Sequence, residues 1–401
     1  MASGTDFKEF PAMVHHVSVP PVLRIGGGSL NDLCDVVTRA RATRALIVSD
    51  AFLSRSGASA RVQELLTASG IPTVIFDQTV PDPTTASLAA GLDALRAHQA
   101  DIIVALGGGS PIDSAKALAV LSVHGGEMRE LKAPVSYAGP ALPIIAIPTT
   151  AGTGSEATQF TVITDSDTGE KMLCGGPSYL PQAAIVDYEL TISMPARLTA
   201  DTGLDALTHA VEAYVSGRAM GFTDGLALHA IRQIGQHLRR AVQDGNDLEA
   251  RAEMMEAATL AGIAFSNASV ALVHGMSRPL GARFHIAHGM ANAMLFAEVT
   301  EFSLPSAVPR YADCARALGV SDSGQTDGQA ADALVRELYL LRSELGVPSP
   351  KQLGITREDW DEAVPDMAAH ALASGSPAHN PRVPTQEEVE ALFHRIYSPQ
   401  G

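Results

Sequence analysis

Short β-rich apolar runs recur through the first half of the chain, at Ala45–Val48, Thr73–Phe76, Ile102–Leu106, Ile144–Ile147 and Ala184–Val186. A strand with one wet face alternates apolar and polar residues. Unbroken runs instead predict strands buried on both faces, as in a mainly parallel sheet between helical layers. Between the runs, Arg61–Ser69, Ala86–Ala97 and Pro111–Val123 carry the amphipathic or small-residue patterns of crossover helices. One segment interrupts the alternation: Phe160–Ile163, a turn at Asp165–Glu170, and Met172–Cys174 read as an inserted hairpin.

Past Pro195 the strand signals fade and long helical patterns take over, at Asp201–Tyr214, Thr223–Val242, Leu248–Ala264, Val270–His285, Asp332–Glu344 and Gln386–Tyr397. A Met-Pro step falls at Met194–Pro195, and the composition changes there from Val/Ile-rich to Ala/His/Met-rich. The expected organisation is therefore an α/β domain over 1–194 and an all-helical domain over 195–401. Gly324–Gly328 and Ser374–Pro384 read as surface loops. The uncharged stretch Ala257–Val273 approaches the length of a membrane span but contains Thr259, Ser266, Asn267 and Ser269, so it predicts a buried core helix.

Charge narrows the choice of partner. With 28 Lys+Arg against 44 Asp+Glu, 28 − 44 gives −16, and no basic run provides a face for nucleic acid. Three widely spaced cysteines, Cys34, Cys174 and Cys314, make no disulfide framework. The opening MASGTDFKEF lacks the basic and apolar regions of a secretory signal. A cytoplasmic protein without a membrane partner is expected.

Two loops carry candidate binding chemistry. In DIIVALGGGSPIDSAK (Asp101–Lys116) a buried strand runs through three glycines into a helix start. Glycines admit close approach of an anion, and the first-turn N–H groups with the helix dipole favour a pyrophosphate. The plainer reading is a capping box with Ser110 at the N-cap and Asp113 at N3, and the two are compatible. IPTTAGTGSE (Ile147–Glu156) follows the next strand and clusters Thr149, Thr150, Thr153 and Ser155. Loops ending successive parallel strands share the rim where open α/β sheets bind ligands. Asp50, closing ALIVSD, suits an adenosine ribose and disfavours a 2′-phosphate, which points to NAD over NADP; otherwise it is a solvated Asp at a helix N-terminus.

Metal chemistry is suggested farther along. Asp205 and His209 stand at i and i+4, on one face of a helix, and His274 and His288 follow in VHGMSRPLGARFHIAHG. One carboxylate and three imidazoles suit Fe(II) or Zn(II) better than Mg or Ca. Burying so many imidazoles with no shared partner would be costly.

GGGSPIDSAK, PTTAGTGSE, DALTH and HGMSRPLGARFHIAHG, in this order and at these separations, resemble the iron-containing alcohol dehydrogenase family, and the likeness runs from Gly26–Leu30 to Asn380–Phe393. The resemblance implies a dehydroquinate synthase-like NAD(P)-binding α/β domain, an all-α domain and one divalent metal in the cleft. It implies Asp205, His209, His274 and His288 as ligands. For the cofactor it implies Asp50, Gly108, Gly109, Ser110, Asp113, Thr149, Thr150, Thr153, Val162 and Lys171. Many members have a histidine four residues after the third ligand; this chain has Arg278, which cannot shuttle protons at neutral pH. His285 is then the local candidate for acid/base work, with solvent reached through the ribose hydroxyl as the other route and a purely structural hydrogen bond as the plainer role. Arg278 either meets an acidic group on the substrate (carboxylate, phosphonate or sulfonate) or pairs with an internal carboxylate.

The expected activity is NAD(H)-linked interconversion of a small primary alcohol and its aldehyde, in a cytoplasmic homodimer. Two other readings stay open: a dehydroquinate synthase-like lyase that uses NAD transiently, and a non-catalytic assembly protein of the same fold.

Overall fold

The computed structural model describes residues 14–398, so the reading of MASGTDFKEF lies outside the described residues. Strands β1 (Val22–Ile25), β2 (Ala45–Val48), β3 (Thr73–Phe76), β4 (Ile102–Gly107), β5 (Ile144–Pro148) and β8 (Ala183–Val186) form one parallel sheet in the order β1-β8-β5-β4-β2-β3. Strands β6 (Phe160–Thr164) and β7 (Lys171–Gly175) make the separate antiparallel hairpin. The four inner strands are buried along their whole length, and the edges β1 and β3 are half-exposed, as unbroken apolar runs require.

Alternate residues of each strand serve opposite cores. Ile103, Ala105, Ile144 and Ala146 pack toward α4 (Thr85–His98), α5 (Gly109–His124) and the hairpin. Ile102, Val104, Leu106 and Ile145 pack toward α1 (Leu33–Arg39) and α3 (Ala58–Ala68). A short helix α2 (Ala51–Arg55), absent from the periodicity reading, follows β2 directly.

The remainder is helical: α6 (Ala196–Val215), α7 (Gly221–Gln243), α8 (Leu248–Asn267), α9 (Leu272–Phe284), α10 (His288–Ser303), α11 (Val308–Leu318), α12 (Asp327–Glu344), α13 (Arg357–Ala373) and α14 (Gln386–Tyr397). Helices α10, α11 and α13 were not expected. Helix α10 is apolar nearly all round, so it presents no face for a periodicity reading to find.

Three further expectations are corrected. Ala257–Val273 is not one helix: the chain breaks at Ala268–Ala271, and α8 and α9 meet at 103°. Asn267 turns its amide onto Ile263 O and Ser18 O, and the N–H groups of Ala271 and Val273 are taken by Glu212 of α6. No single helix among the described residues is long and apolar enough to cross a membrane. The segment Ser374–Pro384 is not simply a surface loop, since Ser376 and Asn380 are buried beneath α9 and α10. Ser110 and Asp113 form no capping box, because α5 begins at Gly109 with Gly108 as its N-cap and no side chain closes its first turn.

Sheet and helices meet through small residues. A Cβ on Gly154 would lie 2.6 Å from Gly262 Cα, and one on Gly152 would lie 2.5 Å from Thr202 Cβ, so the 149–155 loop is wedged between α6 and α8. Arg251 of α8 ties down the connection into α6, donating to Met194 O, Thr199 Oγ1 and Gly245 O.

Candidate active site

Four donors converge where three helices meet. Asp205 and His209 project from one face of α6, His274 from the first turn of α9, and His288 is the first residue of α10. One ligand atom from each lies within 4.8 Å of all the others. Asp205 Oδ1 is 3.8, 3.7 and 3.8 Å from Nε2 of His209, His274 and His288. Tetrahedral bonds of roughly 2.1 Å put donors about 3.4 Å apart, so this spacing fits one ion of that class.

The protonation state suits it too. Burial drives His209 down to about 4, His288 down to about 3 and His274 well below the ordinary imidazole range. All three rings are therefore neutral near pH 7, with lone pairs to give. His209 stacks between Phe265 (4.3 Å) and His274 (4.5 Å), which fixes its plane.

Two residues absent from the sequence reading complete this cluster. Glu212, three residues after His209, accepts His274 Nδ1–H at 2.6 Å together with the N–H groups of Ala271 (2.9 Å) and Val273 (2.6 Å). Burial pushes its carboxyl up to about 7 against the pull of those donors. Asn292, four residues after His288, sets Nδ2 2.6 Å from Asp205 Oδ1 and leaves a buried Oδ1 with no partner among the described residues. The i, i+4 and i+7 spacings from known donors were the available signal.

Opposite this cluster, the rim of the sheet forms a cradle. Gly107 has φ 152°, and a Cβ there would lie 2.5 Å from the Pro111 ring. On Gly108 and Gly109 a Cβ would meet Thr150 Cγ2 at 3.2 Å and Thr153 Cγ2 at 3.1 Å, so two bare backbones face two threonines. Ser110 lies in the uncapped first turn of α5, and Thr149 N–H donates to Gly107 O. Asp113 is turned inward: it accepts from Ser155 Oγ (2.7 Å) and Val162 N–H (2.9 Å), joining α5, the threonine loop and the hairpin. Lys116 is buried behind it, donating to Thr158 and Phe160, with its ammonium lowered to about 8 by burial. A cavity of about 270 Å³ at the same rim is lined by Leu30, Gly57, Arg61, Leu106 and Leu190.

The remaining candidates are spread around the cleft. Lys171 opens β7, paired with Asp82 at 2.9 Å, and its Nζ lies 3.5 Å from where a Cβ on Gly281 of α9 would stand. Asp50 caps α2, Oδ1 accepting from Phe52 N–H (2.8 Å) and Leu53 N–H (2.9 Å), so the plainer reading holds for that oxygen. His285 is exposed and ends α9 in the left-handed conformation (φ 54°). Arg278 meets no carboxylate at ion-pair distance among the described residues; it donates from Nη1 to Ser376 Oγ at 2.9 Å.

A nucleotide-type parallel sheet facing a His₃Asp donor set, three of its members buried and His288 partly open, is the architecture of a metal-assisted dehydrogenase. Family models agree on both halves, the iron-containing alcohol dehydrogenase model over residues 20–188 and the C-terminal model of the Fe-containing alcohol dehydrogenase family over 199–397. The chain is 37% identical over 375 residues to lactaldehyde reductase of Escherichia coli K12, covering 93% of this chain and 97% of that one. The crystal structure of 1,3-propanediol oxidoreductase superposes with a TM-score of 0.92 at 36% identity, over 96% of this chain and all of the other. Sulfoacetaldehyde reductase from Bifidobacterium kashiwanohense, solved in complex with NAD⁺, superposes with a TM-score of 0.86 at 28% identity, over 97% and 100%. The chain belongs to the iron-containing alcohol dehydrogenase family, and it is an alcohol/aldehyde oxidoreductase.

Proposed function

We propose that the chain is a metal-dependent, NAD(H)-linked enzyme interconverting a small primary alcohol and its aldehyde, with Asp205, His209, His274 and His288 holding one divalent ion, Fe(II) ahead of Zn(II). The observation that carries this is the convergence of those four donors within 4.8 Å. When bound, the ion supplies Lewis acidity toward a hydroxyl or carbonyl oxygen, and the nicotinamide accepts or gives hydride.

The chain's own residues bind and orient. Gly108, Gly109 and Ser110, with the uncapped N–H groups of α5, take the pyrophosphate; Thr149, Thr150 and Thr153 lie across from them as hydroxyl donors. Asp113 keeps the loop and Val162 in register, and Lys171 holds the hairpin side of the cleft. The adenosine end is assigned to the rim beside Asp50, whose free Oδ2 favours NAD over NADP. Arg278 stays charged, so His285, exposed at the end of α9, carries the proton between cleft and solvent.

Within this class, substrates with a carboxylate, phosphonate or sulfonate are favoured by the Arg278 guanidinium, and sulfoacetaldehyde reductase bears the name of one such compound. Free Cys34, Cys174 and Cys314 suit a reducing, cytoplasmic setting. The outer edge of β1, with Ile25 exposed and Val17 and Val19 just before it, is where a second copy would complete the homodimer.

The test is a panel of aldehydes with NADH, run on protein reconstituted separately with Fe(II) and Zn(II). Metal-dependent NADH oxidation is expected, and inactivity with both ions would overturn the reading. Stoichiometric release of NADH from an alcohol in the reverse direction separates it from a lyase that regenerates its cofactor.

A further inference from the structure

Buried Arg251 and half-buried Arg278 have no carboxylate at ion-pair distance among the described residues, and their surroundings differ sharply. Arg251 is saturated, with Nε, Nη1 and Nη2 donating to Gly245 O, Thr199 Oγ1 and Met194 O. Arg278 makes one hydrogen bond, from Nη1 to Ser376 Oγ. A guanidinium carries five N–H donors, so most of this one faces no acceptor among the described residues. Glu212 is near enough to act on its charge, but both carboxylate oxygens are committed to Ala271, Val273 and His274. The remaining N–H groups of Arg278 are therefore free to meet an anion entering from the cleft.

Its position says which ligand. His274, Arg278 and Gly281 stand at i, i+4 and i+7 on α9, along one helix face. That face begins at the metal donors and ends where Lys171 of the hairpin approaches Gly281. Arg278 therefore lies inside the cleft, one turn from His274. The Ser376 hydroxyl is held close to it: a Cβ on Gly275 would lie 2.6 Å from Pro377 Cγ, so the Pro377 ring packs directly on the bare backbone of α9. Ser376 itself is 6% exposed.

We propose that Arg278, oriented by Ser376, is the anion-binding subsite of the substrate cleft, and that the preferred substrate is a two- or three-carbon aldehyde or alcohol ending in a carboxylate, phosphonate or sulfonate. The proposal rests on the cleft being the alcohol/aldehyde site argued above. Length is scaled by the helix: Cβ atoms one turn apart stand about 5–6 Å from each other. An oxygen at the donor set and an anion at the guanidinium are bridged over that distance by two or three carbons. Geometry favours oxyanions with two oxygens to offer, because the planar fork accepts them in two-point fashion.

Sulfoacetaldehyde and propanal, matched in size, are compared as substrates with NADH in wild type, Arg278→Met and Ser376→Ala. The expected wild-type kcat/KM ratio favours the sulfonate by on the order of a hundredfold; Arg278→Met collapses it and Ser376→Ala lowers it severalfold. A readout independent of turnover is ethanesulfonate, which should raise the Tm of wild type and not of Arg278→Met, and should compete with propanal. If Arg278→Met does not fold, the wild-type ratio and that competition decide. A wild type that reduces propanal as well as sulfoacetaldehyde, or a ratio unmoved by Arg278→Met, overturns the subsite and leaves the proposed activity standing. If wild type reduces neither aldehyde, the proposed activity fails, and the ethanesulfonate shift still decides the subsite.

Discussion

Glu212 Oε2 lies 2.6 Å from His274 Nδ1, and the same carboxylate receives the first N–H groups of the helix on which His274 stands. One side chain of α6 thus caps α9 and sets the tautomer of its histidine, leaving Nε2 as the lone pair directed at Asp205 and His288. In Glu212→Gln one acceptor oxygen becomes a donor, and one of the three N–H groups loses its partner. Metal affinity should fall about ten- to a hundredfold, by analogy with other partners of ligating histidines. Competition against a chromophoric chelator measures it, and an unchanged affinity would show that Glu212 serves only the helix.

Removing a donor outright should separate metal from cofactor. His274→Ala deletes a ligand from α9 while the cradle at the β4–α5 turn lies on the sheet. The variant should lose bound metal and turnover and keep near-wild-type NADH affinity by fluorescence titration. Wild-type metal content in the variant would refute the ligand assignment.

The three glycines of the cradle should respond differently to alanine. At Gly107, φ 152° and a Cβ 2.5 Å from Pro111 make substitution a folding lesion, costing about 1–3 kcal/mol in chemical denaturation. On Gly108 or Gly109 the new methyl meets one threonine side chain, nearest at 3.2 or 3.1 Å, which can give by a few tenths of an ångström, so stability should change little. It would instead occupy the surface given to the pyrophosphate, and the KM for NADH should rise with metal content unaltered. Equal effects of all three on Tm would contradict that division.

Asp101 offers a pH-dependent test of the strand that carries the cradle. Its burial raises the carboxyl, but hydrogen bonds from Thr43 Oγ1 and the Arg44 and Thr43 N–H groups outweigh this and hold it below the usual range. A folded pKa below the unfolded one gives stability that is complete above the unfolded value, about 3.9, and is lost as pH falls through the folded value. Asp101→Asn should cost about 1 kcal/mol at pH 7, with the gap to wild type closing below pH about 4. A gap independent of pH would show that the hydrogen bonds do not depend on charge.

How much of this was legible in the sequence depended on the range of the interaction. The inner strands announced themselves because burial on both faces leaves an unbroken apolar run, and Asp205 with His209 because i and i+4 share a helix face. The two patterns Leu248–Ala264 and Val270–His285 separated α8 from α9, but what caps the second helix was not legible. That cap is a carboxylate about sixty positions earlier, with no side chain of the N-cap residue closing the turn. Ser110 and Asp113 misled for the converse reason: the local spacing fits a capping box, yet Asp113 finds better partners in Ser155 and Val162 once the sheet has assembled. Ser376 looked like loop because Ser, Gly and Pro dominate its neighbourhood, and only the α9–α13 packing buries it.

The nucleotide preference turns on one oxygen of Asp50. Oδ1 is committed to capping α2, accepting from Phe52 and Leu53, while Oδ2 has no partner among the described residues. Substitution by Gly would remove charge and cap together, and any change in cofactor use could then reflect a loosened helix. Asp50→Asn is cleaner, since an asparagine oxygen caps as well as a carboxylate while the negative charge disappears. Two like charges about 5 Å apart at a wet surface repel by roughly 1–3 kcal/mol, so relief of that repulsion should raise kcat/KM for NADPH on the order of tenfold relative to NADH. Tm should move little, because the cap survives. Steady-state kinetics with both nucleotides in wild type and Asp50→Asn decide the point. A wild type that already uses NADPH as readily as NADH would remove Asp50 from cofactor selection and leave it the helix cap alone.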